Sequence, residues 1–159
     1  MSSIDTKKYR DALGCFTTGV CIVTAIYRDS PVGITVNSFA SVSLSPPLVL
    51  WSLNNTSASY KAFSNAEFYN IHVLTSSQEA LSNKFASRDE NKFVDVDWST
   101  DQRNIPQIKD CKAVFRCKAE SKYPEGDHLI LVGRVESMDA DSGNKQPLIF
   151  SQGKYRQLK

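Results

Sequence analysis

The chain has 159 residues, 41% of them hydrophobic, with a formal net charge of +2 from 19 basic and 17 acidic side chains. That is the size of one ordinary domain, which buries roughly 70% of its unfolded-chain surface and needs no disulfide staples. The near balance of charge leaves no electrostatic footprint for nucleic acid or an anionic membrane, and no apolar run approaches the ~20 residues of a membrane helix, so the partner is expected to be a small molecule or a protein.

The first residues, Met1-Ser2-Ser3-Ile4-Asp5, carry no apolar secretory stretch, and a cytoplasmic location is expected. One domain is expected over 1–159, with an amino-terminal helix at about 6–14 and a barrel from about 19 to 155. Asp5 or Thr6 can cap the helix, because Tyr9, Ala12, Leu13 and Phe16 share one helical stripe and Gly14 suits its end. A strand follows at Val20 to Tyr27, then a turn at Arg28-Asp29-Ser30-Pro31.

Residues 32 to 44 read as one extended segment. Val32, Ile34, Val36, Ala40, Val42 and Leu44 alternate onto one face, and Thr35, Asn37, Ser41 and Ser43 onto the other. Ser38 and Phe39 invert the pattern, which predicts a bulge or kink, a device that re-aims groups near binding sites. A half-buried antiparallel strand with a solvated polar face fits the same pattern. Ser45-Pro46-Pro47 stops the segment, since missing amide donors cannot join a central ladder.

Leu48 to Leu53 is apolar on both faces. Asn54 to Ser57 opens a short helix to about Ser64, Phe68 to Leu74 is a strand, and Ser77 to Ala86 is an amphipathic helix with Ala80, Leu81 and Phe85 inward. Residues 87 to 110 are irregular and charged, a covering loop anchored by Phe93, Val94, Trp98, Ile105 and Ile108. Two long strands, Cys111 to Tyr123 and His128 to Ala140, form a hairpin across Pro124-Glu125-Gly126-Asp127, and Leu148 to Phe150 is a last short strand. Strands outnumber helices and neighbours can pair locally, so the expected class is mainly β, an antiparallel barrel with a few short capping helices. Cys15, Cys21, Cys111 and Cys117 have the spacing of neither a redox pair nor a zinc knuckle and read as reduced structural thiols, so no metal is expected.

Taken in order, several motifs become recognisable. Gly19-Val-Cys-Ile-Val-Thr24, Gly33-Ile-Thr-Val-Asn-Ser-Phe-Ala-Ser-Val-Ser-Leu44, Pro46-Pro-Leu-Val-Leu50, Gln78-Glu-Ala-Leu-Ser-Asn-Lys-Phe-Ala86, Gly126-Asp-His-Leu-Ile-Leu-Val-Gly133 and Gly153-Lys-Tyr155 together resemble the flavin reductase domain family, whose fold is the FMN-binding split barrel. The resemblance implies a Greek-key-like split β-barrel. It also implies a homodimer and an NAD(P)H-dependent flavin reductase acting on FMN or FAD, the small component of a two-component monooxygenase, with NADH or NADPH as hydride donor.

The resemblance also implies the site. Thr35, Val36, Asn37, Ser38, Ser41 and Val42 form the flavin-binding edge, with Ser52, Leu53 and Asn54 from the next strand. Ser57 and Ser59 match the phosphate-binding hydroxyl pair, although a plain helix cap would select such residues too. A basic residue often precedes that pair, whereas Asn54-Asn55 stands here, so either phosphate affinity is modest or Arg88 or Lys92 from the covering loop supplies the charge. His128 matches the residue that seats the nicotinamide, with Asp127 able to orient it; an isolated His beside an Asp is also a common structural pair. His72 stands where the family usually has Asn, and it either packs with a satisfied ring or replaces that amide near the flavin. Tyr155 could border the ring or serve the core. The rival reading is a non-enzymatic FMN carrier or storage protein on the same barrel, since fold alone does not settle function. A further rival has no flavin ligand at all.

Overall fold

The computed structural model describes residues 3–159. Helix α1 (Thr6–Gly14) starts at the expected cap, where Asp5 Oδ1 accepts the backbone N–H groups of Lys7 and Lys8 at 2.9 and 3.1 Å. It buries none of its own residues, and the stripe of Tyr9, Leu13 and the following Phe16 stays exposed.

The strands are β1 (Thr18–Gly19), β2 (Cys21–Tyr27), β3 (Ser30–Val36), β4 (Ala40–Leu44) and β5 (Pro47–Asn54), followed after helix α2 (Tyr60–Asn65) by β6 (Phe68–Val73). Then come a short 3-10 turn at Ser76–Gln78, helix α3 (Glu79–Ala86), β7 (Trp98–Thr100), β8 (Pro106–Ile108), β9 (Ala113–Glu125), β10 (His128–Ala140), β11 (Ile149–Ser151) and β12 (Lys154–Arg156). Among the described residues no helix is long and apolar enough to cross a membrane.

Seven strands form one sheet in the order β3-β2-β6-β9-β10-β5-β4, every neighbouring pair antiparallel. Its two edges, β3 and β4, are consecutive in the chain and separated only by Asn37, Ser38 and Phe39. Four residue steps reach at most about 14 Å, whereas seven strands laid flat would put the edges about 29 Å apart. The sheet must therefore roll until its edges approach, while β3 and β4 do not pair with each other: an antiparallel barrel split along one seam. The split-barrel expectation holds, and the polar motif sits on the seam.

Inside the roll lies a core of Cys21, Val23, Ala25, Val49, Trp51, Leu53, Phe63, Tyr69, Ile71, Leu129 and Leu131. The Trp51 ring meets Phe63 and Tyr69 edge-on at 5.1 and 5.7 Å. Val20, Ile22, Leu74, Phe85, Ile108 and Leu148 form a second core on the outer face of β2, under α3. Gly33 is required there, because a Cβ on it would fall 2.5 Å from Phe85 Cε1.

Several expected elements need correction. The single segment 32–44 is two strands, broken at the predicted kink, and its second half is an exposed edge on which Leu44 is 95% accessible. Pro47 does join a ladder, but opposite Leu44 on that edge strand, where a lost donor costs little. The helix expected from Asn54 begins only at Tyr60. On α3, Ala80 is exposed and Ser82 is the buried polar residue. Residues 87–110 are not wholly irregular: β7 and β8 pair as a hairpin whose turn is closed by Asp101 Oδ1, which accepts the N–H groups of Arg103 and Ile105 at 2.8 and 3.0 Å. Strand β12 had no expected counterpart.

Candidate functional site

At the end of the seam a serine fixes the chain. Ser38 Oγ accepts the backbone N–H of Ser52 at 2.9 Å and donates to the Ser52 carbonyl at 3.3 Å, hooking the β3–β4 connection onto β5. Along β5 the side chains of Val49, Trp51 and Leu53 point into the core, so Ser52 and Asn54 face outward. Register pairs Asn54 with His128 and Ser52 with Ile130, while inward Leu129 and Leu131 oppose Leu53 and Trp51. Ser52, Asn54 and His128 therefore share the outer face beside the seam. Leu53 and Val36 correct the expected edge: their side chains pack against the core, and only their backbone groups remain for a ligand.

The β9–β10 hairpin ends in the two-residue turn Gly126-Asp127, with Glu125 opposite His128. Gly126 takes φ +59°, the left-handed conformation that the first position of a type II′ turn demands. At its end Nδ1 of His128 lies 2.7 Å from Oδ1 of Asp127, and that hydrogen bond holds the exposed carboxyl below the ordinary carboxylate range.

A second turn abuts this one. The Asn55 N–H donates to the Asp127 carbonyl at 2.9 Å, and Asn55 Nδ2 makes a longer contact of 3.4 Å with the Gly126 carbonyl. Asn54 Oδ1 accepts the Thr56 N–H and hydroxyl, both at 2.8 Å, and Ser57 Oγ accepts the Ser59 N–H at 3.1 Å. Ser59 occupies the cap position of α2 without a side-chain capping bond, which leaves its hydroxyl available. Asn55 was not among the expected site residues, and beyond its place in the Asn54-Asn55 pair no sequence pattern marks it.

Thr35 and Tyr155 belong to a different group, gathered by α3. Thr35 Oγ1 donates to the Ser82 carbonyl at 2.7 Å, Ser82 Oγ lies 2.7 Å from Tyr155 Oη, and Tyr155 Oη donates to Asn83 Oδ1 at 3.2 Å. Asn37, Ser41 and Val42 lie exposed on the seam and its edge strand, and Arg88 is exposed beyond α3.

Two expected contributors are committed elsewhere. Lys92 Nζ donates to the carbonyls of Gly33 and Phe85 at 3.1 and 3.0 Å, clasping the loop to the sheet, and burial lowers its pKa. His72 is wholly buried: Nδ1 donates to the Ile22 carbonyl at 2.9 Å and Nε2 accepts the Ile108 N–H at 3.1 Å. With both nitrogens bonded it has no hydrogen bond to offer a ligand. Of its two readings, the satisfied core ring is the observed one.

Hydroxyl and amide groups along the seam, with available hydroxyls at Ser57 and Ser59, match the polar edge and phosphate of a flavin in chemistry. The match is less good in charge, since Lys92 is engaged and Asn54-Asn55 supplies none. A cleft of about 760 Å³ lies elsewhere, between the β7–β8 hairpin and the β9–β10 ladder, lined by Asn70, Asp101, Arg103, Arg116, Glu136 and Ser137. Its arginines are already engaged in ion pairs, Arg103 with Glu136 across the cleft at 2.8 Å and Arg116 with Asp139 just outside it at 2.5 Å.

Known proteins resemble this chain along nearly its whole length. Residues 13–159 match the model of the flavin reductase like domain. The chain is 44% identical over 151 residues to the FMN reductase (NADH) SmoA of Agrobacterium fabrum, covering 95% of this chain and 85% of that protein. It is 35% identical over 155 residues to the flavin-dependent monooxygenase reductase subunit HsaB of Mycobacterium tuberculosis, covering 97% and 83%. Among solved structures, an NADH:FAD oxidoreductase of Streptomyces globisporus, in complex with NAD and FAD fragments, superposes with a TM-score of 0.92 at 31% identity, covering 100% of this chain and 98% of that one.

Proposed function

This chain belongs to the flavin reductase like domain family, and from that premise we propose the following account of its work. It is an NADH-dependent flavin reductase: the dihydronicotinamide supplies a hydride from C4 to N5 of FMN or FAD, and the reduced flavin serves a partner monooxygenase. The protein's own task is positioning, because the two cofactors carry the chemistry.

The observation that carries the reading is the joining of seam, turn and hairpin tip. Ser38 and Ser52 hold the β3–β4 connection in place, so that Asn37, Ser41 and the backbone of Val36, Val42 and Leu53 offer short polar contacts to the flavin ring. Ser57 and Ser59 offer hydroxyls to its phosphate, and exposed Arg88 beyond α3 is the proposed source of positive charge. His128, anchored by Asp127 on the same outer face as Asn54, seats the nicotinamide against the flavin. A pure carrier has no need of such a histidine, and the relatives named as NADH-dependent reductases do not favour that alternative.

Homodimer formation is part of this proposal. Tyr9, Leu13 and Phe16 on and after α1, with Val42 and Leu44 on the edge strand, leave large apolar side chains uncovered on a single chain. We place the protein in the cytoplasm, where NADH is available. The deciding experiment for the activity is anaerobic: purified protein is mixed with FMN and NADH, and the yellow colour is followed. Rapid enzyme-dependent bleaching is expected. Persistent colour with bound FMN selects the carrier, and failure to bind either FMN or FAD removes flavin from the account.

A further inference from the structure

Asn55 joins two parts of the site that the reaction uses for different molecules. Its turn carries Ser57 and Ser59, assigned above to the flavin phosphate, and its N–H holds the carbonyl of Asp127, the residue that anchors His128. We propose that Asn55 is a positioning residue that couples occupation of the phosphate seat to the placement of His128, so that a flavin bearing a phosphate is reduced faster than one without. The inference rests on the reading of Ser57, Ser59 and His128 given above.

The connection is short and continuous. The Ser57 N–H closes a turn on the Asn54 carbonyl at 3.0 Å, and the Tyr60 N–H bonds the Ser57 carbonyl at 3.1 Å. Asn54, at the start of that turn, is the register partner of His128 in the β5–β10 ladder. The Asn55 N–H then ties the turn to the tip of the hairpin at 2.9 Å, and its side chain adds the longer contact to Gly126. A phosphate that settles the Ser57–Ser59 turn therefore also settles the hairpin tip. Without this tie, the hydrogen bonds that hold the tip among the described residues are those of its own exposed two-residue turn and of the ladder that starts at half-buried His128. Hydride transfer is sensitive to such placement, with a misplacement of ~1 Å costing on the order of a hundredfold.

The turn allows a selective test. Asn55 is the second residue of the 54–57 turn, a position that favours proline in the common turn types, and Asn54 before it is the last residue of a strand, the extended conformation that proline prefers in its neighbour. Asn55→Pro thus keeps the turn while removing the N–H and side-chain amide that reach the hairpin. Asn55→Ala removes only the longer contact.

Anaerobic stopped-flow reduction by NADH is measured with FMN and with riboflavin, alongside the dissociation constant of each and the melting temperature of each variant. The wild-type protein is expected to reduce bound FMN roughly tenfold faster than bound riboflavin, a conservative fraction of that sensitivity to placement. Asn55→Pro should bring this ratio to about one while retaining tighter binding of FMN than of riboflavin, and Asn55→Ala should fall between. A ratio unchanged in Asn55→Pro, or equal slowing with both flavins, overturns the coupling while the phosphate assignment stands. Equal wild-type affinity for the two flavins instead overturns the phosphate assignment itself, and the coupling with it. If Asn55→Pro does not fold, the ratio in Asn55→Ala decides: a fall supports the coupling and an unchanged value overturns it.

Discussion

The N–H of Ile108 donates to Nε2 of His72 at 3.1 Å inside the protein, pinning the β7–β8 hairpin to the barrel through a ring that water does not reach. Burial, with a smaller contribution from Arg116, lowers the His72 pKa from 6.5 to about 4 despite the bond that Nδ1 donates to the Ile22 carbonyl. The folded protein thus holds the ring neutral, while the unfolded chain takes up a proton below the ordinary value. The stability this supplies is present above pH ~6.5 and is lost as pH falls toward 4, a loss on the order of 3 kcal/mol. Urea denaturation between pH 7.5 and 5 is expected to show a declining free energy in the wild type and a flatter profile in His72→Asn, whatever its absolute stability. Parallel profiles would assign the acid sensitivity to other groups.

Gly33 and Phe85 make a second prediction, about packing. A methyl group on residue 33 would meet the Phe85 ring at 2.5 and 2.7 Å, and that ring is itself held edge-on by Phe93 at 5.0 Å. Gly33→Ala should therefore destabilise the fold by about 1–3 kcal/mol through overpacking. The Lys92 clasp on the Gly33 carbonyl should loosen with it. Thermal or urea unfolding of this one variant measures the cost, and a change below a few tenths of a kcal/mol would show that α3 shifts freely.

These two sites mark the limit of what could be read in the sequence. Alternation and turn residues disclosed the long hairpin, whose strand β10 runs His128–Ala140 as expected, and the Asp5 cap of α1. The ordered motifs disclosed the family and the polar seam. The pairing of Trp98–Thr100 with Pro106–Ile108 was hidden, because three-residue strands carry no period and the hairpin is held by an Asp101 side chain and by His72. Lys92 looked like a free cation because its charge is visible in sequence and its two carbonyl partners are not. Asn55 was invisible for a related reason: its principal bond uses the backbone N–H, which every residue but proline has.

Ser57 and Ser59 can be tested through the ligand. Ser57 Oγ accepts the Ser59 N–H, while its own hydrogen and the Ser59 hydroxyl remain to donate. Replacing both with Ala should weaken FMN more than riboflavin, by about 1.5–3 kcal/mol for each well-made bond to the charged phosphate. Fluorescence titration with the two flavins gives the comparison. Equal losses would mean that the hydroxyls shape the turn and do not touch phosphate.

His128 is the test of the positioning mechanism. Its ring is fixed on one side by Asp127 at 2.7 Å and rises from the ladder opposite Asn54, so it is placed to contact a ligand without forming the flavin edge itself. His128→Ala should leave flavin affinity nearly intact and slow flavin reduction by NADH by roughly ten- to a hundredfold, the range expected when orientation is lost and the reacting groups are kept. Single-turnover reduction under nitrogen separates this from a binding defect, because saturating NADH restores the rate only if His128 contributes affinity alone. A wild-type rate at saturation would move the residue from aligning the nicotinamide to recruiting it, and an unchanged rate at every NADH concentration would return it to a structural pair with Asp127.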